Sequence, residues 1–321
     1  MPDTSGPRIA DFAVGETVTT FLALRNKQLR EQNGRPFIRF EFADRTGRIM
    51  AIVGESVTEM WESVNEDDVV KLRATVGTWN DKKTLRIQQM RRARRDEYEP
   101  GDFVPVYPGD REDLWREFTG HVESITTPAL RALLDRMLGG AAMRERLLAA
   151  PGGKLWHHVY MGGLLEHTNA VAGYVDAACT RYPLAHRDLA IAGALLHDIG
   201  KIEAFDITST VEYSDRGRLI GHVVLGEGIV REWCAQTSEM SESLVEVLCH
   251  IVLSHERTGD HRSPVDPMTL EAALVASANE LDATAGAFAR ILSRERESGQ
   301  TWSAWVNTLG RQIYLRPADE R

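Results

Sequence analysis

The chain has 321 residues, of which 43% are hydrophobic and 26% are charged, and its formal net charge at pH 7 is −9. This length favours two domains, and this composition is typical of an ordinary globular protein rather than a disordered one. No apolar run approaches the roughly 18 residues that span a bilayer, and the N-terminal segment lacks the basic and apolar regions of a signal peptide. We therefore expect a cytoplasmic protein without a membrane partner, in which Cys179, Cys234 and Cys249 are free thiols.

The N-terminal third of the chain predicts five short strands. In segment 36–44, PFIRFEFAD, the residues Ile38, Phe40 and Phe42 fall on one face, as in a strand with one buried side. The other predicted strands span residues 18–25, 48–53, 69–77 and 84–90, and a helix over residues 56–64 precedes the fourth strand. This order of elements predicts an OB-fold, a small β-barrel often used to bind single strands of nucleic acid.

A basic cluster coincides with the last predicted strand. Its members are Lys82, Lys83, Arg86, Arg91, Arg92, Arg94 and Arg95. Against the acidic average of the chain, such a cluster indicates a phosphate-binding surface, although a solvated strand end is an equal alternative. OB-folds combine basic grooves with aromatic faces on which bases stack. We therefore predict that nucleic acid contacts Phe37, Arg39, Trp79, Lys82 and Lys83. The alternatives are that the aromatic residues pack internally, or that the barrel serves only in assembly.

The remainder of the chain predicts a helical domain. Residues 98–110 are rich in Pro, Gly and Asp and are interpreted as a linker between a domain over residues 1–97 and a second over residues 111–321. Thr127 and Pro128 predict a helix N-terminus, with the proline at the first helical position. Helices are predicted over residues 128–138, 143–149, 162–181, 187–199, 221–237, 241–254 and 269–289. The predicted fold class is therefore α+β multidomain, with a five-stranded OB-fold barrel followed by an all-α domain.

Four histidines and one aspartate in this helical region point to a metal site. His197 and Asp198 end the apolar stretch LAIAGALL, and burying such groups unpaired is costly unless a cation binds them. His167, His222 and His255 also adjoin apolar helical runs. Each histidine alone fits a satisfied core or surface position, but the set favours a shared metal site. Nitrogen and carboxylate ligands without thiolate suit manganese, iron, cobalt, zinc or magnesium.

These residues resemble a known family. The pattern of His167 followed by His197-Asp198 resembles the HD-domain phosphohydrolases. The longer strings WHHVYMGGLLEHT, ALLHDIGKIEAF, GHVVLGE, LSHE and SPVDP resemble the YhaM-type 3′–5′ exoribonucleases, which join an OB-fold to an HD domain. The resemblance covers nearly the whole chain. It implies an all-α HD domain after the barrel and a metal-dependent exoribonuclease that acts on single-stranded RNA, with single-stranded DNA left open.

The resemblance also implies roles for individual residues. The expected catalytic residues are Asp198 and Lys201, with Lys201 stabilising charge on the phosphate. The expected metal ligands are His167, His197, Asp198, His222, His255 and Asn279, with Asp198 bridging two cations, of which Mn²⁺ is the first expectation. Two such cations about 3.5–4 Å apart bind both the attacking and the leaving oxygen in phosphodiester hydrolysis. His158 and His157 precede the first ligand helix, and we expect His158 to touch the substrate. Local capping is the alternative for both histidines and is favoured for His157.

The sequence departs from the family at two positions. Asn279 stands where the family has an aspartate ligand, and Asp282 lies one helical turn further on a similar face. Glu256 follows His255 where the family tends to show a second histidine. Two other functions therefore stay open: a nucleotide phosphohydrolase, and a nucleic-acid-binding protein whose HD site has lapsed. The helical content is also compatible with a homo-oligomer.

Overall fold

The computed structural model describes residues 6–32, 34–79, 82–154, 158–256, 263–295, 299–306 and 309–315. The chain forms two compact units. The first comprises Met1–Val106 together with Ile207–Glu212, and the second comprises Tyr107–Asp206 together with Tyr213–Arg321. Each unit has its own hydrophobic core, and each is described separately below.

The first unit is a closed five-stranded barrel, as the sequence predicts. Its strands are β1 (Thr17–Gln32), β2 (Arg35–Asp44), β3 (Gly47–Val53), β4 (Val69–Trp79) and β5 (Lys82–Arg92), and helix α1 (Val57–Ser63) lies between β3 and β4 in the chain. The strand order is β1-β2-β3-β5-β4. A short parallel pairing of β3 with β5 closes the barrel, and the other pairings are antiparallel.

The barrel core follows from alternation along the strands. Ile38, Phe40 and Phe42 of β2 are completely buried, which confirms the predicted inner face, while Arg39 between them is exposed. Strand β1 continues to Gln32, beyond the predicted end at residue 25, with a break in register between Leu24 and Asn26. The extension is polar apart from the exposed Leu29, so it shows no hydrophobic alternation from which a strand could be predicted.

The second unit is predominantly helical. Its helices are α2 (Arg111–Glu123), α3 (Pro128–Leu138), α4 (Ala141–Ala149), α5 (Gly163–Arg181), α6 (Arg187–Leu196), α7 (Lys201–Ala204), α8 (Asp215–Leu219), α9 (His222–Ala235), α10 (Glu242–Ser254) and α11 (Leu270–Glu295). Strands β6 (Phe205–Ile207) and β7 (Val211–Tyr213) form a two-stranded sheet, of which Ile207–Glu212 belongs to the first unit. The sequence did not predict this sheet, α7 or α8. None of the helices in the described part of the chain is long and apolar enough to cross a membrane.

A buried carboxylate organises the start of α3. Helix α3 begins at Pro128 as predicted, but the Thr127 side chain makes no capping bond to the helix. Instead, the backbone N–H and the hydroxyl of Thr127 both donate to Oδ2 of Asp188 in the first turn of α6, at 2.7 and 2.9 Å. Thr126 donates to the same oxygen through its own N–H and hydroxyl, at 2.8 and 2.9 Å. Burial acts to raise the pKa of Asp188, but these hydrogen bonds hold the pKa below its usual value.

Candidate metal centre

Five of the six metal ligands predicted from the sequence come from four helices and meet in the helical unit, whereas the sixth, Asn279, lies on α11. His167 lies on α5, His197 and Asp198 directly follow α6, His222 begins α9, and His255 follows α10. Four of the five are buried, and only His222 is partly exposed. The segments approach closely because a glycine follows the His-Asp pair: a Cβ atom at Gly200 would overlap the carbonyl of His222.

The five side chains form two groups of three that share Asp198. In the first triad, His167, His197 and Asp198, the Nε2 atoms of the two histidines are 3.2 Å apart, and each lies 3.4 Å from Oδ2 of Asp198. In the second triad, Asp198, His222 and His255, the Nε2 atoms both lie 3.4 Å from Oδ1 of Asp198. Each carboxylate oxygen therefore faces one pair of imidazoles.

Hydrogen bonds made by the Nδ1 atoms of His197 and His255 leave the Nε2 atoms of these rings able to donate a lone pair to a cation. Nδ1 of His197 donates to the carbonyl of Ala194, and Nδ1 of His255 to that of Val252, both at 2.7 Å. With the proton on Nδ1, the neutral ring presents an unprotonated Nε2 towards Asp198. Among the described residues, Nε2 of His255 and Oδ1 of Asp198 are buried without a hydrogen-bond partner.

The spacing of these atoms fits a divalent cation. Two ligand atoms that share a metal ion at about 2.1 Å lie about 3.0–3.5 Å apart, depending on the coordination angle. The separations of 3.2 and 3.4 Å in the two triads fall in this range. Lone pairs that converge in this way repel one another unless a cation lies between them. The donor set of the helical unit therefore fits divalent metal ions, as the sequence predicts.

Electrostatics keeps His197 and Asp198 in their metal-binding forms. Burial lowers the pKa of His197 to about 4, so its imidazole is neutral at neutral pH. Burial acts to raise the pKa of Asp198, but the Lys201 ammonium and the neighbouring imidazoles hold that pKa well below its usual value. A neutral imidazole and an ionised carboxylate are the forms that bind metal ions.

Comparison with known proteins agrees with this geometry. Residues 164–284 match the HD domain family. The chain carries an HD domain. It is also 27% identical over 300 residues, which cover 90% of this chain and 92% of the relative, to the protein named 3′-5′ exoribonuclease YhaM from Listeria welshimeri serovar 6b. These matches confirm the resemblance read from the sequence and the prediction of a metal-dependent phosphohydrolase.

Asn279 and Asp282 occupy different positions in the HD domain. The amide of Asn279 donates to the backbone carbonyl of His255 at 3.1 Å. Asp282 instead accepts from Nδ1 of His167 at 2.6 Å, on the side of the ring opposite the first triad. A carboxylate in this place fixes the tautomer and orientation of a metal-binding imidazole. Asp282, one helical turn after Asn279 on α11, therefore orients the His167 ring through the nitrogen that does not face the first triad.

A charged network continues from Asp282 beyond the HD domain match. Nε2 of His158 lies 3.0 Å from Asp282, and its Nδ1 lies 2.8 Å from Glu166. Burial acts to lower the pKa of His158, but the two carboxylates raise it to about 9. His158, His167 and Asp282 form a third group close enough to hold a cation. The contact of His158 with substrate stays a prediction, and Trp156 and His157 lie outside the described residues.

Lys201 contacts the shared carboxylate. Its side chain is buried, with Nζ 2.5 Å from Oδ2 of Asp198 and donating to the carbonyl of Gly152 at 2.7 Å. The lysine of the His-Asp-Ile-Gly-Lys segment therefore balances the charge of the aspartate. Its predicted contact with a phosphate stays a prediction.

Glu256 is a further acidic neighbour of the second triad that the site prediction from sequence omitted. Its Oε1 lies 3.3 Å from Nε2 of His222. Burial acts to raise the pKa of Glu256, but the imidazoles of His222 and His255 lower it to about 2. The signal in the sequence was the unusual Glu256 beside His255.

The barrel residues predicted to bind nucleic acid lie on or near its surface. Trp79, at the end of β4, is 60% exposed. Arg39 on β2 and Lys82 and Lys83 at the start of β5 are also exposed, whereas Phe37 is half-buried. Nζ of Lys83 donates to the carbonyl of Phe12 at 2.5 Å. A cavity of about 340 Å³ is lined by Ile9, Glu41, Arg48, Ile49, Met50, Lys82 and Lys83.

Several cations of the basic cluster are already paired. Arg91 contacts Glu97 at 2.7 Å, and Arg92 contacts Asp68 at 3.0 Å. Arg94 contacts Asp96 at 3.2 Å. Among the residues that the structure describes, the members of the cluster that are not in an ion pair are Lys82, Lys83 and Arg86 of β5 and Arg95 after it.

Proposed function

We propose that this protein is a metal-dependent 3′–5′ exoribonuclease that hydrolyses single-stranded RNA, with the barrel holding the strand. The observation that carries the proposal is the convergence of buried lone pairs on the two oxygens of Asp198. The similarity to a protein named 3′-5′ exoribonuclease YhaM spans 90% of the chain and so includes both the barrel and the HD domain.

The residues of the two triads would hold divalent cations, with Mn²⁺ the first candidate. When bound, such cations supply an activated water and neutralise the phosphate oxygens. Asp198 presents one oxygen to each triad, so its position sets the separation of the two binding places. Lys201 keeps this carboxylate ionised and adds positive potential at the site. The bonds from Nδ1 of His197 and His255 hold the rings in the metal-binding orientation.

The barrel supplies features that suit a strand-binding role. OB-folds bind oligonucleotides along strands 2 and 3 and at the loops that join strands 1–2 and 4–5. Arg39 lies on β2, and Trp79 and Lys82 flank the connection between β4 and β5. The cavity is lined by residues of β2, β3 and β5, which are neighbours in the strand order, and Lys82 is among them. An exposed indole beside lysines offers a stacking surface for a base next to phosphate contacts.

The test is a time course on single-stranded RNA labelled at its 5′ end, with Mn²⁺ present. We expect a ladder that shortens from the 3′ end, and immediate release of labelled mononucleotide when the same RNA is labelled at the 3′ end. Asp198→Ala should abolish both, whereas Asp206→Ala, at an exposed aspartate of the same unit, should retain them. RNA that stays intact with the wild-type protein would contradict the proposal and favour a nucleotide substrate or a lapsed site.

A further inference from the structure

We propose that the carboxylate of Glu256 is a ligand of the cation held by Asp198, His222 and His255. The inference rests on the proposed metal site but not on the identity of the substrate. Oε1 of Glu256 lies 3.3 Å from Nε2 of His222, and that nitrogen lies 3.4 Å from Oδ1 of Asp198. The distance between Glu256 and His222 is that of two ligand atoms on one ion, about 3.0–3.5 Å. Glu256 lies outside the group of Asp198, His222 and His255, whose ligand atoms are all within 4.8 Å of one another, so its carboxylate would turn towards them when the ion binds.

The backbone holds Glu256 at the edge of the site. Glu256 directly follows His255, whose Nε2 faces the same carboxylate oxygen of Asp198 at 3.4 Å. The backbone N–H of Glu256 donates to the hydroxyl of Ser263 at 2.9 Å. The side chain of Glu256 is 18% exposed and that of His222 is 21% exposed, whereas His255 is completely enclosed. The glutamate therefore lies on the more open side of the second triad.

The added carboxylate gives the two metal positions different chemistry. The first triad offers two imidazoles and one oxygen of Asp198. With Glu256, the second position offers two imidazoles and two carboxylates, and so carries more negative charge. Carboxylate oxygen favours manganese or magnesium, whereas an additional imidazole favours zinc, copper, iron or nickel. We therefore infer that the second position selects Mn²⁺ more strongly than a position completed by histidine would.

Calorimetric titration of the chelator-treated full-length protein with MnCl₂ tests this inference without any RNA. Loss of a residue that only supports a ligand weakens metal binding about 10–100-fold, so loss of a direct ligand by Glu256→Gln should weaken one Mn²⁺ site at least about 10-fold. Glu246→Gln, at an exposed glutamate of α10, is the matched control and should bind as the wild type does. Thermal unfolding of each metal-free variant checks that the fold is retained.

Glu256→His is the second variant, because a histidine can bind a metal in the same place. We expect it to keep both binding events and to shift the competition between Mn²⁺ and Zn²⁺ towards Zn²⁺. Glu256→Gln with unchanged affinity and stoichiometry would overturn the inference, as would a wild-type protein that binds no Mn²⁺ at the second position. Failure of RNA hydrolysis with normal Mn²⁺ binding would contradict only the proposed function.

Discussion

The barrel and the helical unit differ in how they treat buried polar groups. Among the described residues of the barrel strands, the buried polar residues Thr20 and Asp44 are both satisfied locally: Thr20 donates to the carbonyl of Pro7, and Asp44 accepts from the N–H of Ile9. One buried nitrogen of Arg25 on β1 makes no hydrogen bond, but it lies 3.6 Å from the carboxylate of Asp67. In the helical unit, the buried groups around Asp198 include atoms without a hydrogen-bond partner. Burying polar groups without partners is costly, so the helical unit carries a cost that only a ligand offsets. In the helical unit, the candidate site is therefore indicated by buried atoms, whereas in the barrel the candidate strand-binding residues lie on or near the surface.

The largest effect is expected at the one residue that both triads share. Asp198→Ala removes the oxygens that face all four imidazoles, so we expect hydrolysis to fall by more than about 10³-fold and bound metal to fall to a trace. Elemental analysis of the purified protein measures the second outcome independently of any substrate. Asp206→Ala provides the control. If the Asp198 variant bound as much metal as the wild type, the buried groups around Asp198 would not be the metal site, and this difference between the two units would be contradicted.

Asp282→Asn tests the support behind the first triad. The substitution keeps the size of the side chain but removes the charge that accepts the proton of His167 Nδ1. Because loss of such a supporting carboxylate weakens metal binding about 10–100-fold, we expect this decrease at one of two Mn²⁺ sites in a calorimetric titration. Asp206→Asn should leave both sites unchanged. Equal weakening of both sites would show that Asp282 acts on the domain as a whole.

Asp188 is a second buried aspartate of the helical unit, and unlike Oδ1 of Asp198 its Oδ2 accepts hydrogen bonds, from Thr126 and Thr127. The pKa of Asp188 in the folded protein lies below its ordinary value of 3.8, so its contribution to stability is present above that value and is lost as pH falls through the folded pKa. Asp188→Asn should lower the free energy of unfolding by about 1–2 kcal/mol near neutral pH. Urea unfolding followed by circular dichroism at several pH values measures the difference. We expect it to shrink below pH 3.8, and a pH-independent difference would contradict this account. Metal content should not change.

The sequence predicts the features that depend on local patterns and not those that depend on the packing of distant segments. The inner face of β2 is predicted because Ile38, Phe40 and Phe42 alternate towards one core, and α3 is predicted because Pro128 suits a first helical turn. The site histidines are predicted because polar groups beside apolar helical runs need partners. The contact between His167 and Asp282 joins residues 115 positions apart, and it depends on how α5 packs on α11. No local pattern encodes that packing.

Lys82 tests the barrel, where the smallest effect is expected. An exposed lysine contributes to RNA binding mainly by releasing a counterion from a phosphate, so Lys82→Ala should weaken binding modestly and reduce the salt slope of log Kd by roughly 0.7. Arg136→Ala, at an exposed cation of the helical unit, should leave the slope unchanged. Affinities are measured for RNA of one length over a series of salt concentrations, in Asp198→Ala protein so that the strand stays intact. If the two variants gave the same slope, RNA would not contact this part of the barrel, and its role as the strand-holding unit would lose its support.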